Sequence, residues 1–193
     1  MNKFYSNMVA LVTPIVKLLY PFRVSGAAKL PEGAAVVCAN HSSYLDPFLV
    51  AIIFGPKNYM RFMGKIELFR TPVIGWFCRK LGGIPVDRDG SDIEALRASI
   101  DVLKNGNKLM LFPEGTRVSS DDAVAAKTGA VRLAARHDAP IVPIFISREK
   151  KLFRPFDVCR GESYTLSKIK RSEYGAAAED LMARIAQMNP EKK

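Results

Sequence analysis

Residues 34–47 read AAVVCANHSSYLDP. Six small or β-branched apolar residues end on a polar cluster, the pattern of a strand buried on both faces. The run closes on Asp46-Pro47, a helix-start signal, because Asp can cap and Pro suits the first helical position. A buried strand feeding a helix through a short polar loop is the repeating unit of an α/β sheet. The loop carries one of the two histidines of the chain, His41, at the strand's C-terminal end, and Asp46 at the mouth of the helix.

Outward from this unit the same alternation recurs. Residues 108–112 (KLMLF) and 141–146 (IVPIFI) are further buried runs, and 59–63 is a fourth candidate strand. Pro143 argues for an edge or bulge position in its strand, since it cannot donate to a ladder. Residues 91–105 carry Ile93, Leu96, Ile100 and Leu103 at helical spacing; Ser91 with Glu94 forms a capping-box pattern and Gly106 a stop. Residues 123–136 read as an Ala-rich helix broken or entered at Thr128-Gly129, and 173–188 as a terminal amphipathic helix. There is no internal repeat or linker, and 193 residues suffice for one layered α/β domain.

The net charge is +10, distributed as +7 over residues 1–80, −1 over 81–147 and +4 over 148–193. Such a surface suits nucleic acid or anionic lipid, or belongs to a merely basic soluble protein. Residues 4–16 are uncharged and apolar but only thirteen long, short of the ~20 needed to span a bilayer. With Lys3, Lys17 and Arg23 around it, this segment fits a helix lying in the headgroup region; a core helix covering the sheet fits nearly as well. Cys38, Cys78 and Cys159 are widely spaced, form no C-x-x-C pair and are joined by two histidines only, which argues against a disulfide framework or a metal site and for a reducing compartment.

Three loops bear groups that do chemistry. A carboxylate five residues beyond His41 can fold back onto one ring nitrogen and leave the other as a base; taken alone, a histidine beside a helix cap explains the pair equally. The strand 108–112 runs into Pro113-Glu114-Gly115-Thr116-Arg117, where Arg117 offers a planar fork for phosphate or carboxylate, or is a surface arginine. Residues 81–88 (LGGIPVDR) place Arg88 at another strand end.

In this order the loops resemble the glycerolipid acyltransferases, of the 1-acyl-glycerol-3-phosphate acyltransferase type. Asn40-His41 through Asp46 looks like the family's N-H-x-x-x-x-D block and Gly83–Arg88 its second. Phe112-Pro113-Glu114-Gly115-Thr116-Arg117 is similar to the third, and Val142-Pro143-Ile144 to the fourth. Val118 stands where the third block is often followed by Ser. The resemblance implies a mixed sheet flanked by helices, as in glycerol-3-phosphate acyltransferase. It implies an apolar membrane-associating segment over 1–24, with room for one helix where relatives often have two, and an acyltransferase domain over 25–193. It implies His41 as general base, Asp46 as its orienting carboxylate, and Arg88, Arg117 and, less directly, Lys65 as phosphate ligands. Asn40, Glu114, Gly115 and Thr116 organise the site. No metal or cofactor is implied beyond acyl-CoA or acyl carrier protein as co-substrate. The expected partners are an anionic membrane surface and a lysophospholipid, not nucleic acid, and the expected location is the cytoplasmic face of the cell membrane, peripheral or monotopic. Lysophosphatidic acid, glycerol-3-phosphate, a lyso-ornithine lipid and other lysophospholipids all remain open as acceptors.

Three rivals make other predictions. A thioester relay would use Cys38, and a serine hydrolase needs a G-x-S-x-G elbow, which does not occur. A basic binding module would lose nothing when His41 is replaced.

Overall fold

The 34–39 run forms the centre of a sheet with both faces covered. A computed structural model of the chain describes residues 2–27, 29–87, 92–118, 125–166 and 169–192. The described chain runs α1 (Lys3–Leu19), β1 (Phe22–Gly26), β2 (Ala35–Ala39), α2 (Asp46–Phe54), β3 (Met60–Lys65), α3 (Ile66–Arg70), α4 (Pro72–Lys80), β4 (Ile84–Val86), α5 (Ile93–Lys104), β5 (Lys108–Leu111), α6 (Gly129–Arg136), β6 (Ile141–Ile146), β7 (Phe156–Arg160) and α7 (Tyr174–Gln187).

Seven strands form one mixed sheet in the order β1-β7-β6-β2-β5-β3-β4. β2 to β6 are mutually parallel, β7 is antiparallel to β6, and β1 is parallel to β7. The C-terminal ends of β2, β3, β4, β5 and β6 therefore share one edge. After β5 the chain crosses β2 to reach β6, so β2 ends between two neighbours approached from opposite sides, the kind of crevice where α/β sheets bind ligands.

Strand alternation sorts the core. Val36 and Cys38 face the layer of α5, α6 and α7, together with Leu109, Leu111, Ile141 and Phe145. Ala35, Val37 and Ala39 face α1 and α2, with Met110, Val142, Ile144 and Val158. Every residue of β2 is fully buried, as a central parallel strand between helical layers requires. Each buried Val, Leu or Ile of these two clusters contributes roughly 1.5–3 kcal/mol.

Two local expectations change. Pro143 lies in β6, which is an interior strand, paired opposite Cys38 of β2. It is tolerated because the β7 ladder ends at Arg160 opposite Ile144, and the Pro143 carbonyl takes the Gly161 N–H at 2.9 Å beyond that end; the nitrogen, on the same side of the strand, faces no ladder partner. The N-cap of α5 is Asp92, whose carboxylate accepts the Ala95 amide at 2.8 Å and also the Asp87 amide at 2.8 Å, tying the helix to the end of β4. Ser91, expected to cap, is outside the described residues. Gly106 ends α5 with φ +68° as anticipated.

α1 serves both readings of the N-terminal segment. Tyr5, Val9 and Val16 are buried against the sheet layer, while Leu11, Ile15 and Leu18 are each more than half exposed. Phe4 packs edge-on against Trp76 and Phe77 of α4 with ring centroids 5.5 Å apart in both cases. Among the described residues no helix is long and apolar enough to cross a membrane.

Candidate active site

The loop after β2 turns back so that His41 and Asp46 meet. His41 Nδ1 lies 3.0 Å from Asp46 Oδ2. The same carboxylate oxygen accepts the Ser42 amide at 2.7 Å and the Ser43 amide at 2.8 Å. Asp46 opens α2, but its side chain is aimed backward at the loop rather than at the first amides of its own helix, and Leu45 is the N-cap residue. Pro47 starts the helix without an N–H to satisfy. The Asp46 side chain is 0% exposed and His41 15%. Burial drives the Asp46 carboxyl upward. The His41 hydrogen bond, the Lys150 charge and the two serine amides outweigh it and hold the carboxyl below the usual aspartate range.

An ionised carboxylate on Nδ1 fixes the tautomer, with the proton on Nδ1 and the lone pair on Nε2. Among the described residues nothing hydrogen-bonds Nε2. The imidazole plane is set by Phe112, stacked on it with centroids 4.0 Å apart and planes 20° apart. The pair can act as a base facing outward from the sheet edge.

Glu114 builds the second support. Its side chain is almost fully buried, Oε2 accepts the His41 amide at 2.8 Å and Oε1 takes Arg148 Nη2 at 2.6 Å. Arg148 Nη1 donates to the Val118 carbonyl at 2.7 Å, and the Val118 amide donates to the His41 carbonyl at 2.7 Å. The loop after β5 is thus folded onto the loop after β2. Gly115 makes that fold with φ +69°, its amide closing on the Phe112 carbonyl at 2.9 Å. Asn40 is buried and bonds both ways across to β6, Nδ2 donating to the Ile146 carbonyl and Oδ1 accepting the Ile146 amide, each at 2.8 Å.

Arg117 stands at the rim, its guanidinium 3.6 Å above the Tyr44 ring, exposed with Thr116. Stacking leaves the edge of the fork open to an anion. Lys65 ends β3 on the same sheet edge but pairs with Glu67 at 3.0 Å. Arg88 lies outside the described residues. The geometry therefore brings together Asn40, His41, Asp46, Glu114, Gly115 and, at the rim, Arg117.

Two residues not anticipated from sequence join them. Arg148 holds Glu114, and Lys150 Nζ lies 3.0 Å from Asp46 Oδ1. Both follow β6 within the basic run Ser147-Arg148-Glu149-Lys150-Lys151. A strand running parallel to β2 delivers its C-terminal residues to the same edge; the one hint in the sequence is the basic run directly after the buried 141–146 strand. Cys38 is fully buried and its thiol is pushed up by burial, which leaves it inert as a nucleophile.

Comparison with known proteins agrees with this geometry. The family model described as Acyltransferase matches residues 21–147. A 1-acyl-sn-glycerol-3-phosphate acyltransferase of Bacillus subtilis (strain 168) is 33% identical over 158 residues, 80% of this chain and 76% of that one. One from Streptococcus pneumoniae is 32% identical over 147 residues, 70% of this chain and 52% of that one. The chloroplastic LPAT1 of Arabidopsis thaliana is 31% identical, and the chain spans 39% of its length. The crystal structure of the 1-acyl-sn-glycerophosphate (LPA) acyltransferase PlsC from Thermotoga maritima superposes with a TM-score of 0.70 over 94% of this chain and 76% of that one; at 24% identity it speaks for the fold. The family model covers most of the chain and takes in His41, Asp46, Glu114 and Arg117, so the chain belongs to the acyltransferase family and is an O-acyltransferase.

Proposed function

We propose that the chain transfers a fatty acyl group from acyl-CoA or acyl carrier protein to the free hydroxyl of lysophosphatidic acid, giving phosphatidic acid. The observation that carries this reading is the 3.0 Å contact of His41 Nδ1 with the buried Asp46 carboxylate, with Nε2 left to the solvent side. Nε2 takes the hydroxyl proton as the acceptor oxygen attacks the thioester carbonyl carbon. The C–S bond then breaks, and the leaving thiolate takes the proton back from the imidazolium. No acyl-enzyme is needed, and the buried Cys38 supplies none.

Arg117, with Arg88, grips the acceptor phosphate and fixes the hydroxyl relative to His41. The names of the relatives support lysophosphatidic acid as the acceptor. The reading places the chain on an anionic membrane surface at the cytoplasmic face of the cell membrane; the exposed apolar residues Leu11, Ile15 and Leu18 of α1, with Val73, Ile74 and Trp76 of α4, support the attachment to a membrane. The test is turnover by the purified protein in lipid micelles, offered lysophosphatidic acid, glycerol-3-phosphate and a neutral monoacylglycerol with each donor. Lysophosphatidic acid is expected to be favoured, and His41→Ala to lose on the order of 10²–10⁴-fold in rate with the fold retained. Equal turnover of all three acceptors would remove the phosphate-directed reading.

A further inference from the structure

We infer that Lys150 is a positioning residue of the catalytic pair, a third member whose buried ammonium locks the Asp46 carboxylate and restrains the protonation of His41. The inference rests on the reading of His41 as the base. Asp46 uses its two oxygens differently. Oδ2 receives three donors, His41 Nδ1 and the amides of Ser42 and Ser43, whereas Oδ1 faces, among the described residues, the Lys150 ammonium alone, as an ion pair at 3.0 Å. The two side chains are 4% and 0% exposed. Lys150 is therefore no substrate ligand at the rim, in contrast to Arg117.

The ammonium has two further acceptors. It donates to Ser42 Oγ at 2.8 Å and to the Arg148 carbonyl at 3.3 Å, and Ser42 Oγ itself donates to that carbonyl at 3.2 Å. Lys150 thus ties the segment after β6 to the loop that carries His41, and the position of its charge is held by three contacts from two elements. The neighbours of Lys150 in that segment, Glu149 and Lys151, stay out. Lys151 pairs with Glu149, and both are exposed.

The charged groups around the pair come from every strand end that meets there: His41 after β2, Asp46 at the start of α2, Glu114 after β5, Arg148 and Lys150 after β6, with Arg117 at the rim. Glu114 and Arg148 satisfy each other, which leaves Asp46 and Lys150 as the second pair. A lone carboxylate buried on His41 would draw a proton onto the imidazole before substrate arrived, and a protonated imidazole is no base. The ammonium opposes this by neutralising Asp46 and by repelling an imidazolium on the far side of the carboxylate. The same burial that sharpens the effect pulls the Lys150 ammonium below its ordinary range, an effect that Asp46 partly offsets and that Arg148 adds to.

The test is the pH dependence of kcat/KM for Lys150→Met, Lys150→Gln and Lys150→Arg beside the parent and His41→Ala. In Lys150→Met the three donors on Oδ2 keep Asp46 ionised with no cation on Oδ1, so the acidic limb should move up by about one pH unit. Lys150→Arg keeps the charge and should hold the limb within about 0.3 unit, whatever it does to kcat. Should Lys150→Met fail to fold, Lys150→Gln retains a polar group toward Ser42 Oγ and reads the same limb. A limb that stays in place in the neutral variants, with only stability or yield reduced, assigns Lys150 a structural role and overturns the inference. Should His41→Ala keep its turnover, the base reading fails first; should it lose turnover while the limb does not move, only the role of Lys150 fails.

Discussion

Replacing Asp46 by Asn separates what the carboxylate does for the fold from what it does for the base. An amide is nearly the same shape but has one acceptor oxygen. If that oxygen takes the Oδ2 place, it keeps His41 Nδ1, Ser42 N and Ser43 N, and the NH2 group is pressed against the Lys150 ammonium, donor on charged donor at 3.0 Å. If the amide flips, two backbone N–H groups lose their acceptor at roughly 1–3 kcal/mol each. It also turns its NH2 toward Nδ1 and so selects the tautomer with the proton on Nε2. Either way a buried cation loses its counter-charge, and asymmetric removal of one partner costs about 3–5 kcal/mol. At this chain length that is a fall in Tm of roughly 6–20 °C. In activity, loss of the anion that stabilises an imidazolium should lower kcat/KM by about 10²–10⁴-fold. Urea denaturation and a thioester-consumption assay with lysophosphatidic acid measure the two separately. The double variant Asp46→Asn/Lys150→Met removes both charges. It should recover about 3 kcal/mol of the lost stability and none of the lost activity, since the orphaned cation is gone and the orienting anion is still missing. An Asp46→Asn protein within threefold of the parent in kcat/KM would refute the orienting role; a double variant no more stable than the single would refute the charge argument.

Three shorter expectations follow from other parts of the molecule. Arg117→Ala should raise KM for lysophosphatidic acid by about 10-fold or more with kcat little changed, from the ~1.5–3 kcal/mol of a charge-assisted contact. It should leave any turnover of monoacylglycerol untouched, and a loss equal for both acceptors would place Arg117 elsewhere. Substituting Glu for Leu11, Ile15 and Leu18, exposed on α1, should abolish sedimentation with phosphatidylglycerol vesicles while turnover of a detergent-dispersed acceptor persists; unchanged sedimentation would remove α1 from the membrane contact. Because the folded Asp46 carboxyl lies below its ordinary range, the unfolded chain holds more protons there and stability rises with pH. This contribution is complete above about pH 5 and is lost as the pH falls through the ordinary aspartate value toward the folded one. The stability gap between parent and Asp46→Asn, followed by urea midpoint, should therefore narrow below about pH 4; a gap constant from pH 6 to 3 would contradict it.

Legibility in the sequence tracked burial. β2, β5 and β6 are continuous apolar runs because helices cover both faces of the sheet, and they were read within a residue of their ends. β1 and β7 were missed: FRVSG and FDVCR are mixed in polarity, and both lie at the side of the sheet where Arg23 and Asp157 pair across strands at 2.9 Å. α3 and α4 carry no clear helical signal in sequence, being short and interrupted by Pro72 and Gly75. In the site, residues close in sequence were legible, as His41 and Asp46 or Glu114 to Arg117. Arg148 and Lys150 were not, because a run such as SREKK looks like a solvated turn until the parallel order of β2 and β6 brings it to the same edge.

The three strand ends divide the work in a way that explains why β2 lies in the middle. From β5 comes Glu114, which holds the His41 backbone; from β6 come Arg148 and Lys150, which answer the charges of Glu114 and Asp46. Two buried pairs of opposite sign surround one imidazole, so the interior is electrically balanced without any charge on His41 itself. With His41 as the proposed base that balance matters, because a base must alternate between neutral and charged forms. Its surroundings should favour neither so strongly that the proton fails to arrive or to leave. The hydrogen bonds of Asn40 to Ile146 and of Val118 to His41 hold the strand ends at fixed separation while this happens. Among the described residues, Nε2 and the open edge of Arg117 are then the groups that the proposed reaction turns toward the substrate. Preorganisation of this kind requires partners on both sides of His41, and an edge strand could not have supplied them.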